Sequence, residues 1–150
     1  MQSMEKLKPL ALLLLRLALG VIFAFHGYPK LFTHTQEAMQ AFGHMGFPSY
    51  FVYIAGVIEF FGGCLLIVGL FTRVAGLLLA GEMAVALVKV HGLLTTPMKV
   101  DAYQFPLAMA VGAFALATFG AGLTSLDQAV LGGGGGARGP ARKFKNKDRG

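Results

Sequence analysis

One cysteine, Cys64, is the only thiol in this 150-residue chain. A single thiol excludes an internal disulfide and a Cys-x-x-Cys redox pair, and no Cys/His cluster has the spacing of a zinc site. Cys64 lies in an apolar run, where a cysteine reads as a small buried hydrophobe. Charge is scarce as well. Charged residues make up 13% of the chain, about half the share found in soluble domains. The formal charge of +6 is located mostly in Arg138, Arg142, Lys143, Lys145, Lys147 and Arg149. No basic groove with interleaved aromatics is left elsewhere, so nucleic-acid binding is set aside in favour of membrane topology.

What is present is apolar residue, 55% of the chain, gathered in four stretches: Pro9–Gly27, Pro48–Leu70, Val74–Leu94 and Tyr103–Leu123. Each approaches the roughly 20 residues that cross a hydrocarbon core as a helix. Pro9, Pro48 and Pro106 fall where a helix start tolerates proline. The first stretch holds Arg16 and lacks a clean small-x-small cleavage site after it, so it reads as a retained span rather than a signal peptide. Lys6, Lys8, Arg73 and the basic tail mark one side of the membrane. On the other side Lys30 is balanced by Glu37, and Lys99 by Asp101. The Lys/Arg bias predicts cytoplasmic N- and C-termini, and all four tyrosines, Tyr28, Tyr50, Tyr53 and Tyr103, fall at the outer ends as an interfacial belt.

The fold class expected is therefore all-α: a polytopic membrane four-helix bundle with short loops, spanning residues 1–131. A disordered, glycine-rich basic tail, 132–150, follows, attracted to anionic inner-leaflet lipid. The outer segment Thr33–Gly46 reads as an amphipathic helix. Thr33 and Gln36 fit a capping box, Met39 and Phe42 share a face, and Gly43 or Gly46 ends it as a lid on the membrane. No strong internal repeat is visible.

The bilayer should exclude Arg16, Glu59, Glu82 and Lys89, since a charge at its centre costs about 2.5–3.5 kcal/mol on insertion scales. At about 1.5 Å per residue, Arg16 lies about 10 Å deep, Glu59 roughly 16 Å and Glu82 about 13 Å. An intramembrane charge network of Arg16, Glu59 and Glu82, with the Arg fork bridging two carboxylates, is the expectation. Arg16 shares a stripe with Gly20, Phe23, Gly27 and Lys30, and Glu59 is flanked by Ala55, Gly56, Gly62 and Gly63, so both point at closely packed helices. This network reads either as a structural lock on helix register or as a quinone, proton or small-solute site. Nearer the outer surface, His26, Lys30, Glu59, Lys89 and His91 form a candidate ligand pocket beneath the Met39/Phe42 lid. A quinone headgroup is the favoured occupant. His26 and His91 as haem ligands are the lesser alternative, without a Cys-x-x-Cys-His attachment motif. Lys30 and Lys89 could instead snorkel to headgroups. His34 and His44 read as solvated loop residues, and no metal site is expected.

Arg16-Leu17-Ala18-Leu19-Gly20-Val21-Ile22-Phe23, followed by His26-Gly27-Tyr28-Pro29-Lys30-Leu31, resembles the opening motif of DoxX family membrane proteins. Gly56-Val57-Ile58-Glu59 with Gly62-Gly63, then Gly69-Leu70-Phe71-Thr72-Arg73 and Gly76, resembles the family's second block, and Ser125-Leu126-Asp127 its close. The resemblance covers Leu10 to Asp127. It implies a four-helix bundle in a prokaryotic plasma membrane, among relatives associated with quinone-linked thiosulfate oxidation in archaea and oxidative-stress complexes in mycobacteria. With Cys64 alone, the chain departs from any dithiol pattern. The resulting expectation is an accessory subunit of a membrane oxidoreductase, binding a quinone or similar ligand and working with a protein partner in a membrane redox complex. The alternatives are a non-enzymatic scaffold or assembly factor and, less favoured for want of inverted repeats and broken helices, a small-solute transporter.

Overall fold

The computed structural model of the chain describes residues 6–89, 100–122 and 125–127. Every regular element among them is helical. Helix α1 spans Lys8–Tyr28 and runs straight into a π-helical turn, Pro29–Thr33; α2 is Thr35–His44, α3 Phe51–Val68, α4 Thr72–Lys89 and α5 Val100–Phe119. The expected C-terminal tail, His91 and the outer end of the third apolar stretch lie outside the described residues.

Local chemistry accounts for most boundaries. Pro9 sits in the first turn of α1, where its missing N–H costs nothing. At Pro29 the helix continues where a loop is expected. Lacking an N–H, Pro29 cannot join the α-helical ladder, and the turn widens until the His34 amide reaches the Pro29 carbonyl at 2.8 Å, five residues back. The capping box expected at Thr33 and Gln36 is not formed: α2 begins later, on His34, with no side-chain cap. Of the two candidate stops, Gly46 is the one used, in the left-handed conformation (φ 80°), while the Phe47 amide bonds Phe42 O at 2.9 Å. Pro106 is a second correction. Helix α5 begins at Val100, so the proline lies inside the helix rather than at its start.

Four long helices pack as two tight pairs, α1 with α3 and α4 with α5, joined mainly through α3 and α4. The α1–α3 pair is antiparallel. Gly20 meets Gly63 and Ile67, Gly27 meets Glu59 and Phe60, and Gly56 meets Lys30 and Leu31. The contacts at Gly27 and Gly63 are backbone against backbone, the close approach that small residues permit between membrane helices. Between the pairs lies an apolar core of Leu19, Phe23, Leu66, Leu79, Met109 and Leu116 with the alanines around them.

The outside is as apolar as the core. Leu14, Phe25, Phe61, Leu77, Val111 and Phe114 are all exposed, Phe25 at 74%, whereas Arg16 and Glu59 are both buried at 3%. Charges within and large hydrocarbons without is the reverse of a water-soluble surface, and an apolar exterior of this extent requires an apolar surrounding. Among the described residues, two helices are long and apolar enough to cross a membrane, over Lys8–Thr33 and Phe51–Val68. Tyr28, Tyr50, Tyr53 and Tyr103 gather at one end of the bundle, and Arg73 at the other, near Gly120.

Candidate functional site

Among the described residues the bundle holds two separate polar clusters, one toward the tyrosine-bearing end and one at the opposite end. The first is centred on Lys30 of the π turn. Its ammonium forms an ion pair with Glu59 Oε2 of α3 at 2.5 Å. Gly27 and Gly56 make this pair possible, since they let α1 and α3 approach until Lys30 and Glu59 share one seam. The Glu59 side chain is 4% exposed and that of Lys30 23%, so the acceptor is enclosed and the donor reaches the surface. Phe42 of α2 covers Lys30, its ring centroid 5.9 Å from the ammonium, a cation–π distance. The expected lid helix therefore touches the cluster through Phe42. Glu82 of α4 is within electrostatic reach of both Glu59 and Lys30. Its Oε2 is buried and has no hydrogen-bond partner among the described residues.

The second cluster ties the ends of three helices. The Arg16 guanidinium donates to Ala121 O at 2.9 Å, 105 residues away in sequence. Asp127 is its electrostatic neighbour. Asp127 in turn accepts from the Phe71 amide at 2.7 Å and the Thr72 amide at 3.0 Å. It thus caps α4 from a distant part of the chain, placing a carboxylate where the first amides and the helix dipole favour one. The Asp127 amide closes the loop onto Gly69 O at 2.9 Å. Gly69 adopts φ 77°, and a side chain there would meet Arg16 Nη1 at 2.5 Å, so this glycine serves both the turn and the guanidinium.

The expected network of Arg16, Glu59 and Glu82 is thereby divided. Lys30, not Arg16, is the cation placed with the two glutamates. The reason is the height at which α1 and α3 pair: Glu59 lies against Gly27, one turn from Lys30, whereas the Arg16 guanidinium lies against Gly69, ten positions further along the chain than Glu59. Side chains also tilt toward the N-terminus of their own helix, which adds to the separation. Helix α1 starts at the end of the bundle that carries Arg73, so the Arg16 fork descends toward Ala121. Helix α3 runs the other way, so Glu59 leans toward Lys30. Depth counted from the ends of the apolar stretches puts Arg16 and Glu59 within about 6 Å of one level, and the observed pairing of α1 with α3 sets them further apart.

The expected pocket is divided too. Lys30 and Glu59 meet. His26 is exposed; its Nδ1 donates to Ile22 O at 2.9 Å and its ring stacks on Phe105 of α5, with centroids 5.6 Å apart. Lys89 is exposed at the end of α4. His91 lies outside the described residues. Asp127 is legible in the sequence only as part of a closing motif, and its role as a cap could not be read from a residue 55 positions from the amide it serves. Among the described residues no group of three metal-ligating side chains is present.

The family model described as DoxX matches residues 11–92. A Bacillus subtilis protein named "Putative oxidoreductase CatD" is 35% identical over 130 residues, which cover 87% of this chain and 94% of that protein. The Escherichia coli protein named "Inner membrane protein YqjF" is 27% identical over 127 residues, covering 83% and 95%. No solved structure matches the chain.

Proposed function

The chain belongs to the DoxX family of membrane proteins, and from that premise we propose that it is a redox-associated subunit of the bacterial plasma membrane. In this reading it takes a quinone headgroup at the Lys30–Glu59–Glu82 cluster and acts with a partner protein. The observation that carries the reading is the ion pair of Lys30 and Glu59 set beneath Phe42. An ammonium has three donors. One is used by Glu59, and the partial exposure of Lys30 leaves the others able to reach a ligand carbonyl. Phe42 offers the aromatic face against which a quinone ring stacks. The name of CatD, which includes oxidoreductase, supports a redox setting.

The membrane arrangement belongs to the same proposal. Four spans place the Arg73 end and both termini in the cytoplasm, following the Lys/Arg bias, and the tyrosine end outside. Reporter fusions at Gly150 and within Thr35–His44 should give opposite sidedness. Equal sidedness would refute the four-span arrangement.

Lipid-soluble material extracted from purified protein tests the ligand. Wild type should carry quinone in a fixed ratio to protein, and Lys30→Met should lower that ratio at least tenfold. An unchanged ratio in the variant would remove Lys30 from the site. One observation favours a second reading, a non-enzymatic scaffold: the Arg16–Asp127 cluster only joins helix ends. If wild type carries no quinone, that scaffold reading takes its place.

A further inference from the structure

Glu82 is set deeper in α4 than its short side chain can span. It lies ten residues from Thr72 and seven from Lys89, about 15 Å and about 10 Å along the helix. Leu79, one turn before it, belongs to the apolar core, and Met83 packs against that core. The level of Glu82 in the bundle follows from the pairing of α3 with α4. Only Gly69, Leu70 and Phe71 separate these helices, so they run antiparallel. Gly62 of α3 faces Leu79 of α4, and a Cβ on Gly62 would stand 3.2 Å from Leu79 Cδ1. Three residues back along α3 is Glu59, and three residues forward along α4 is Glu82. In antiparallel helices both steps lead about 4.5 Å toward the same end, here the tyrosine-bearing one. Residues three apart share nearly one face of a helix, so Glu59 and Glu82 stand level at the α3–α4 seam. Glu59 and Lys30 are the charged groups that act on Glu82. Lys30 is committed to Glu59. Arg16 belongs to the opposite cluster, and His26 is exposed and stacked on Phe105. Lys89 is exposed two turns further along α4, and α5 has no ionisable residue past its first turn. The buried Oε2 of Glu82 has no hydrogen-bond partner among the described residues.

Two carboxylates at one level with a single ammonium would leave one negative charge uncompensated in hydrocarbon. An ionised carboxylate can only accept hydrogen bonds, and no donor among the described residues reaches this oxygen. An unpaired charge in an apolar interior is far costlier than a neutral carboxyl group. We propose that Glu59, Glu82 and Lys30 form a proton-binding site of the membrane interior: Glu82 holds one exchangeable proton while Lys30 neutralises Glu59, and releases it when Glu59 no longer occupies the ammonium. Release breaks the Glu82 O–H bond alone, and the proton passes to water at the end of the bundle where Lys30 is part-exposed. The cluster is neutral in both states, because the ammonium balances one carboxylate at a time. Two carboxyl groups sharing one proton is a recurrent arrangement of acid–base sites. The seam geometry and the unused oxygen carry this assignment, which does not depend on the ligand that the cluster takes.

Infrared spectra of the full chain, in a detergent without ester groups, read the proton directly. A protonated carboxyl group has a C=O stretch, shifted in D2O, that a carboxylate lacks. At neutral pH wild type should show this band, and Glu82→Gln, which keeps the shape of the side chain, should lose it. Glu59→Gln should lose it too, although Glu82 is intact, because Lys30 then carries the charge that an ionised Glu82 balances. Circular dichroism melts establish that both variants fold. A second measurement needs no variant. Dicyclohexylcarbodiimide, a lipid-soluble reagent, reacts with protonated carboxyl groups. The carboxyl proton moves to one nitrogen as the oxygen bonds the central carbon, and the adduct rearranges to a stable N-acylurea with no atom lost. Peptide masses from wild type should place a single adduct on Glu82. A wild-type spectrum without the band, a band retained in either variant, or an adduct absent from Glu82 each overturns the inference. Quinone content of the same preparations is a separate readout, so the proton site and the ligand reading can fail independently.

Discussion

Replacing Gly27 by alanine adds one methyl group at the closest point between α1 and α3. A Cβ at this position would stand 2.3 Å from the Phe60 amide nitrogen and 2.8 Å from Phe60 Cα, where ordinary contact begins at 3.4 Å. The neighbour is backbone, which cannot swing aside, so the helices must part by about 1.1 Å, the difference between 3.4 and 2.3 Å. Parting them loosens the Gly20, Gly56 and Gly63 contacts along the same seam. Overpacking of this kind costs about 1–3 kcal/mol, offset by about 0.5–1 kcal/mol from replacing a helical glycine. The net loss is about 1–2 kcal/mol, which lowers the melting temperature of a chain this size by about 2–8 °C. Gly81→Ala is the matched control. It lies inside α4, and nothing stands within 4 Å of where its Cβ would be. The same chemical change there should stabilise by up to about 1 kcal/mol. The chain has no tryptophan, so melting in detergent is followed by circular dichroism of the helices. Two variants shifting in the same direction, or Gly27→Ala melting at or above wild type, would refute the reasoning that backbone contact holds this pair together.

Two further expectations concern the polar clusters. Lys30→Met leaves the buried Glu59 carboxylate without its counter-ion and should cost about 3 kcal/mol, the lower end for a broken buried pair because Lys30 is partly exposed. Adding Glu59→Gln removes the stranded charge and should recover most of that loss; a double variant no more stable than the single one would argue against direct pairing. Asp127→Ala withdraws the acceptor for the Phe71 and Thr72 amides and the charge beside Arg16. A lost helix cap costs about 0.5–2 kcal/mol, and hydrogen exchange should rise first at the beginning of α4. Protection there equal to wild type would show that the cap is dispensable.

The apolar stretches, the small-residue faces of Gly20, Gly27, Gly56 and Gly63, and the resemblance carried by the motifs around Arg16 and Glu59 all follow from local sequence. Spacing alone is enough there, because a helix places residues three and four apart on one face whatever it packs against. The amphipathic lid is legible for the same reason, though its first residue is not: the π turn at Pro29 moves the start of α2 past the expected cap.

The pairing of charges is decided by the tertiary structure. Four ionisable residues within apolar stretches announce that partners must exist, since a lone charge in hydrocarbon is too costly. They do not say which partners. Arg16 bonds a carbonyl 105 residues on, and Lys30, which reads in the sequence as an outer loop residue, supplies the charge that Glu59 needs. The glycine seam sets the height of α1 against α3, bringing Glu59 beside Gly27 and one turn from Lys30 while Gly69 takes the level of the Arg16 guanidinium; opposite side-chain tilts add to that separation. Helix periodicity, and with it which faces turn inward, is a property of the chain by itself. Which cation reaches which carboxylate depends on the relative height and direction of helices, and only their packing sets those.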